Sequence, residues 1–236
     1  MFKTDNYIGY SKVDTKGKLK IHELVNLFQD CSMKHTDSRG MKCMDLKSQH
    51  HAWFVYSWHI IIEDRPMVGD DVVVATWPYA FTGLYGMRNF TMENQEGKVI
   101  AYADTYWIYF DSSTNSVSCP SPEEIAKFDI DERYPMEKSS RKVKMPKEMD
   151  EVDSIKIREP LLDTNEHVNN AEYIKIAAGY IPVGLEIREL NVEYVNPAKL
   201  GHTVRIFYKE VEGKHFVKLV NMDGETYVNV KFTPVG

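Results

Sequence analysis

Pro66-Met67-Val68-Gly69-Asp70-Asp71-Val72 returns later in the chain as Pro197-Ala198-Lys199-Leu200-Gly201-His202-Thr203-Val204, with one extra residue before the glycine. In both copies a proline enters a turn, and a glycine closes it ahead of a β-branched run. A second pair of turns keeps nearly the same spacing. Gly97, in Glu93-Asn94-Gln95-Glu96-Gly97-Lys98, matches Gly224 of Asp223-Gly224, and each reads as a hairpin loop with glycine supplying the positive φ. Gly69 and Gly201 are 132 residues apart and Gly97 and Gly224 are 127 apart, far beyond any solenoid period, so the spacing indicates one duplicated unit.

The segments around these turns fit that reading. In the first copy Ile21, Leu24, Val25, Phe28 and Cys31 recur at helical spacing and predict an amphipathic helix through about Lys34. Strands are expected over His51–Ile62, Asp71–Trp77 (closed by Pro78), Leu84–Met92 and Val99–Phe110. Several exceed the usual five or six residues, which suits a strongly curved sheet. In the second copy Ala171, Ile174, Ala177, Ala178 and Ile181 predict a helix, followed by strands at Leu185–Val195, Thr203–Val211, Phe216–Asn221 and Thr226–Phe232. Helix, strand, strand, hairpin occurs twice in that order. Between the copies, Pro120–Asp153 carries four prolines and many charges, including Arg141-Lys142-Val143-Lys144. It reads as a connector with a short helix near Pro122–Phe128, either a solvated linker or a landing patch for an acidic partner. The expected division is 1–120, a connector 121–153, and 154–236.

Composition narrows the function classes. A chain of 236 residues, 43% hydrophobic and 27% charged, buries a substantial core and is not disordered. A net charge of −6 argues against a nucleic-acid partner. No apolar run approaches the roughly 20 residues of a membrane span, and the start lacks a secretory pattern. Cys31, Cys43 and Cys119 are odd in number and not at metal spacing, which points to a reducing, cytoplasmic setting. His50 and His51 are adjacent in a strand and point to opposite faces, so no metal is expected there. His22, His35 and Cys31 read as ordinary surface or core positions.

The polar cluster Leu162-Asp163-Thr164-Asn165-Glu166-His167-Val168-Asn169-Asn170 stands just before the second helix. Asp163, Asn165, His167 and Asn169 alternate, so an extended segment points them to one side. The helix start at about Asn169–Ala171 adds backbone N–H groups and a positive dipole end. A carboxylate, an amide, an imidazole and N–H donors together suit a reaction that needs both a base and a stabilised oxyanion. The same residues also suit a plain Asx-rich loop with a helix cap.

Leu162 through Tyr173 resembles the signature of acyl-acyl-carrier-protein thioesterases, in which Asp, Asn and His alternate and an HVNN run leads to a Tyr. The resemblance extends through the first repeat. Gly17-Lys18-Leu19-Lys20 with Leu24-Val25-Asn26-Leu27-Phe28-Gln29-Asp30 follows the family pattern, as do Trp53, Arg65-Pro66-Met67-Val68-Gly69-Asp70, Thr76-Trp77-Pro78, Gly83-Leu84-Tyr85, and Arg88 with Phe90. The resemblance implies an α+β tandem double hotdog, each repeat a long helix wrapped by a curved antiparallel β-sheet. It also implies hydrolysis of a fatty acyl thioester held on acyl carrier protein, ending chain elongation, with no cofactor. His167 is then the base or proton handler, Asn165 orients water or the carbonyl, and Asp163 holds the hydrogen-bond geometry. Trp53, Asn169 and Asn170 are the implied substrate-binding positions, and the first repeat is implied to supply much of the acyl tunnel. A homodimer is left open.

The sequence departs from the family at one point. The glutamate that members carry after the catalytic helix falls on Pro197, and the aspartate of the following turn falls on His202. Glu193, four residues earlier, lies roughly 13 Å away along an extended strand. No Gly-x-Ser-x-Gly motif occurs, which favours direct attack by water. An acyl-CoA substrate, hydration or dehydration of an acyl thioester, and a non-catalytic acyl-thioester sensor are the competing readings.

Overall fold

The computed structural model describes residues 1–236, which form two compact units: 1–56 with 62–139, and 57–61 with 140–236. The first unit contains β1 (Phe2–Tyr7), α1 (Ile21–Ser38), α2 (Cys43–Ser48), most of β2 (His51–Ile62), β3 (Asp71–Thr82), β4 (Tyr85–Glu93), β5 (Val99–Asp111), β6 (Ser116–Ser118) and α3 (Pro122–Ala126). Its strands run in the order β1-β3-β4-β5-β2, with β6 paired to β5. Helix α1 lays Leu24, Val25, Phe28 and Cys31 against the sheet. All four are buried, and Phe28 stacks on Phe90 at 5.2 Å. The helix continues four residues past Lys34 because His35, only 2% exposed, prolongs the inward face with a polar residue that a hydrophobic pattern overlooks.

Pro78 does not end β3 as the sequence suggests. The strand runs on to Thr82, and its register against β4 shifts between Pro78 and Ala80. A bulge of this kind lets a proline sit inside a sheet without breaking a ladder bond.

The second unit contains β7 (Asp150–Lys156), α4 (Asn170–Ala178), β8 (Ile187–Tyr194), β9 (Thr203–Val211), β10 (Lys214–Val220) and β11 (Thr226–Pro234). Residues Ser57–Ile61 of β2 belong to it and pair antiparallel with Glu189–Glu193 of β8. The order β7-β9-β10-β11-β8 repeats β1-β3-β4-β5-β2 strand for strand. Each unit is therefore a helix on an antiparallel sheet, as the duplicated turns require. The second helix is half the length of the first. Gly179 caps it, and Pro182 with Gly184 follows, so Ile181 lies beyond the helix and not within it. No helix of the chain is long and apolar enough to cross a membrane.

Part of the connector is fastened to the first unit's sheet. After α3, capped by Ser121 and Glu124 in a capping box, Asp131 N–H donates to Pro78 O and Trp77 Nε1 donates to Glu132 O. Arg133 binds Asp104 at 2.8 Å, where Tyr79 also donates, and Tyr134 N–H donates to Asn89 Oδ1. In the second unit Val143 N–H donates to buried Glu193, which holds the basic run Arg141-Lys142-Val143-Lys144 in place with its three cationic side chains exposed.

Candidate active site

The segment Leu162–Val168 is a tight turn and not the extended run that its alternation suggested. Leu162 bridges to Val168, Asp163 N–H donates to His167 O at 2.7 Å, and Glu166 N–H donates to Asp163 O. The physical reason is the Asp163 carboxylate. Its Oδ1 accepts the N–H groups of Asn165 (2.8 Å) and His167 (3.2 Å), drawing the chain around it. Glu166 sits at the left-handed corner with φ 63°.

The first unit contains the same turn. Asp14 Oδ1 accepts the N–H groups of Lys16 (2.9 Å) and Lys18 (3.1 Å), Asp14 N–H donates to Lys18 O, and Gly17 takes the corner with φ 76°. The turn and its aspartate thus belong to the duplicated fold. What distinguishes the second copy is Asn165 and His167 where the first has Lys16 and Lys18.

Helix α4 starts immediately after this turn, and its first N–H groups are used within the chain. Asn169 is the N-cap, its Oδ1 accepting Ala171 N–H at 2.9 Å, and Glu172 N–H donates to Asn169 O. The free donors expected at this helix end are therefore largely taken. Asn170 O accepts the Tyr194 hydroxyl at 2.9 Å. On the other side of the turn, Val168 N–H donates to Ala198 O and His167 bridges to Lys199. Ala198 N–H donates to the Tyr173 hydroxyl at 2.7 Å.

His202 has in the second unit the place that Asp70 has in the first. In the first unit Asp70 Oδ2 accepts Met67 N–H at 2.8 Å. In the second, His202 Nδ1 faces Lys199 N–H at 3.4 Å and the Tyr227 hydroxyl at 2.9 Å. Pro197 is exposed and has no acidic group. Glu193 is no substitute, since its Oε2 is bound by Asn229 Nδ2 and Val143 N–H, both at 3.1 Å.

His167 is half-buried. Burial is the largest influence on its imidazole and holds the pKa below the ordinary histidine value. Lys199 acts in the same direction, while Asp163 and Glu166 oppose them. The ring is therefore neutral and basic at neutral pH. Asp163, Asn165, His167, Asn169 and Asn170 stand together within the second unit. Trp53 lies in the first, 5.0 Å from Tyr109 and 6.1 Å from Phe81, over Gly86, where an added Cβ would come within 3.1 Å of both Trp53 and Phe81. Sequence reasoning had Tyr173 only as the end of the signature, without a role, and did not single out Ala198. The available signal was a tyrosine on a core-facing helix position, whose hydroxyl must find a partner when buried.

The N-terminal domain model of the acyl-ACP thioesterases matches residues 1–128, and the C-terminal domain model matches 144–233. Among curated proteins, a chloroplastic acyl-acyl-carrier-protein hydrolase of Cuphea viscosissima is 29% identical over 188 residues, 72% of this chain and 45% of its own. The chloroplastic oleoyl-acyl carrier protein thioesterase 2 of Arabidopsis thaliana is 24% identical over 215 residues, 79% of this chain and 55% of its own. The chain thus spans about half the length of these relatives. In structure, an acyl-ACP thioesterase from Bacteroides thetaiotaomicron matches with a TM-score of 0.88 at 24% identity, covering 98% of this chain and 96% of the other. The 12:0-ACP thioesterase from Umbellularia californica matches at 0.85 and 19% identity, with the same coverage. With both of its units matched in order by that family's two domain models, and its fold shared with solved members, the chain belongs to the acyl-ACP thioesterase family.

Proposed function

We propose that this chain hydrolyses the thioester of fatty acyl chains carried on acyl carrier protein, releasing a free fatty acid. The observation that carries the reading is His167. It is the half-buried neutral imidazole that the second turn presents where the first has a lysine. In this mechanism His167 takes a proton from water as the oxygen attacks the thioester carbonyl carbon. The C–S bond then breaks, and the proton returns to the leaving thiolate. Asn165 orients the water or the carbonyl. Asp163 fixes the turn and so the place of both, and Asn169 and Asn170 border the acyl group. Matched acyl-carrier-protein and CoA thioesters across chain lengths test the proposal. The carrier series should be cleaved with the higher kcat/KM, and preference for CoA throughout would replace it with an acyl-CoA thioesterase.

Pro197, standing where the family resemblance implies a glutamate, favours a second reading, a sensor that binds acyl thioesters without turnover. Tight binding of one thioester with no hydrolysis of any would establish it.

The exposed cations Arg141, Lys142 and Lys144 are the proposed landing patch for the acidic carrier. Reversing all three charges should raise KM for an acyl-carrier substrate several-fold and leave a short-chain CoA substrate unchanged. Equal effects on the two would exclude a docking role. The three free cysteines support a reducing, cytoplasmic setting. Sedimentation of the purified chain tests the homodimer.

A further inference from the structure

Besides the differences already described, the two units differ at a further pair of positions beside the turn. In the first, Leu19 N–H donates to the carbonyl of Pro66, a residue without an N–H. The helix residue four positions into α1 is Leu24. In the second unit the matching carbonyl is that of Ala198, which accepts Val168 N–H. Ala198 carries an N–H, and the residue four positions into α4 is Tyr173, whose hydroxyl accepts it at 2.7 Å. Ala198 is 0% and Tyr173 2% exposed, so water does not readily replace this bond. The donor and its acceptor are thus present together in one copy and absent together in the other.

The bond lies in a short chain of contacts that ends at His167. Tyr173 on α4 holds Ala198 N–H, Ala198 O holds Val168 N–H, and Lys199, after Ala198, bridges to His167, before Val168. We infer that Tyr173 is a positioning residue. Through Ala198 it locks the turn bearing Lys199 against the turn bearing His167, and so fixes the imidazole's place and surroundings. The inference rests on the hydrolase reading for its link to catalysis, but not for its link to His167. The charged groups that bear on His167 are Asp163 and Glu166 from its own turn and Lys199 from the turn that Tyr173 holds. Loosening the second turn withdraws Lys199 and admits water. Both changes raise the imidazole's proton affinity toward the ordinary histidine value.

The test is Tyr173→Phe, which keeps the ring and removes the acceptor. Because misplacement by an ångström costs up to about 100-fold, kcat should fall by roughly 10-fold or more with KM nearly unchanged. The acid limb of the kcat profile should move to higher pH. In the folded protein, NMR titration of the His167 ring should show the same upward displacement. An unchanged kcat and an unchanged His167 titration would overturn the inference. A wild type that hydrolyses no acyl thioester would sink the hydrolase reading alone, because the His167 titration still tests the positioning role. If Tyr173→Phe does not fold, the first unit's pair is installed as Tyr173→Leu with Ala198→Pro, which removes the orphaned donor. Recovery of the fold over Tyr173→Leu alone supports the pairing, and no recovery refutes it.

Discussion

His167→Ala should lower kcat by about 10²–10⁴-fold, the usual contribution of a positioned general base, while leaving the far-ultraviolet spectrum and melting unchanged. The His167 N–H is held by Asp163 Oδ1 and the His167 carbonyl by Asp163 N–H, and these backbone bonds remain when the imidazole is removed. Asn165→Ala should act on turnover in the same way. Asp163→Ala should differ, because it removes the acceptor of two backbone N–H groups and costs stability as well as rate. The losses should not add, since all three serve one step. With His167 as the proposed base, only its neutral form is active, so activity should be full at higher pH and fall as pH drops through a pKa below the ordinary value of about 6.5. Pro197→Glu completes the comparison. A rise in kcat at constant KM would show that the wild type lacks a water-activating carboxylate. Wild-type turnover already within about 1–10³ s⁻¹, with no gain from the glutamate, would show that His167 and its partners suffice. Retention of most activity by His167→Ala would refute the assignment of the base.

Acid should unfold the first unit through His35. This ring is 2% exposed, stacked on Phe2 at 5.1 Å and edge-on to Phe128 at 5.4 Å. Its Nδ1 accepts from Nη1 of Arg88 at 3.0 Å. That buried guanidinium also donates to Thr76 Oγ1 and lies 5.6 Å from the Phe128 ring centre. Burial first, then the charges of Arg88, Arg39 and the N-terminal ammonium, push His35 down to about 4, with Asp129 opposing. Arg88, itself lowered to about 10 by burial, stays cationic at neutral pH. Protonating His35 therefore removes the acceptor for Arg88 and sets two cations side by side. Because the folded pKa lies below the unfolded one, the associated stability is fully present above about pH 6.5. It is lost as pH falls toward 4. A displacement of this size corresponds to roughly 3 kcal/mol. Urea midpoints from pH 7 to pH 4, compared between wild type and His35→Gln, isolate the effect from the carboxylates common to both. The variant should lose less stability than the wild type over that interval, and parallel curves would show that His35 does not govern it.

The sequence by itself determined the duplication. Gly69 and Gly201, with Gly97 and Gly224, must occupy left-handed turns, and all four do, at φ between 75° and 95°. Period-2 runs between those turns located the strands, and the order of their motifs singled out 162–170 as the candidate segment. These are local signals, encoded in a few neighbouring residues. Tertiary structure alone decided the rest. Pro78 continues its strand because the sheet around it accepts a bulge, which no property of the proline announces. The alternation around Asp163 left an extended edge and an Asx-rich loop both open, and the fold takes the loop, the carboxylate accepting two backbone N–H groups as Asp14 does in the first unit. Glu193, His35, Arg88 and Tyr173 are polar residues in buried places. Their partners lie at Val143, Arg88, Thr76 and Ala198, up to 53 residues away in the chain. A buried polar group is stable only beside its partner, and that pairing exists only once the chain has folded.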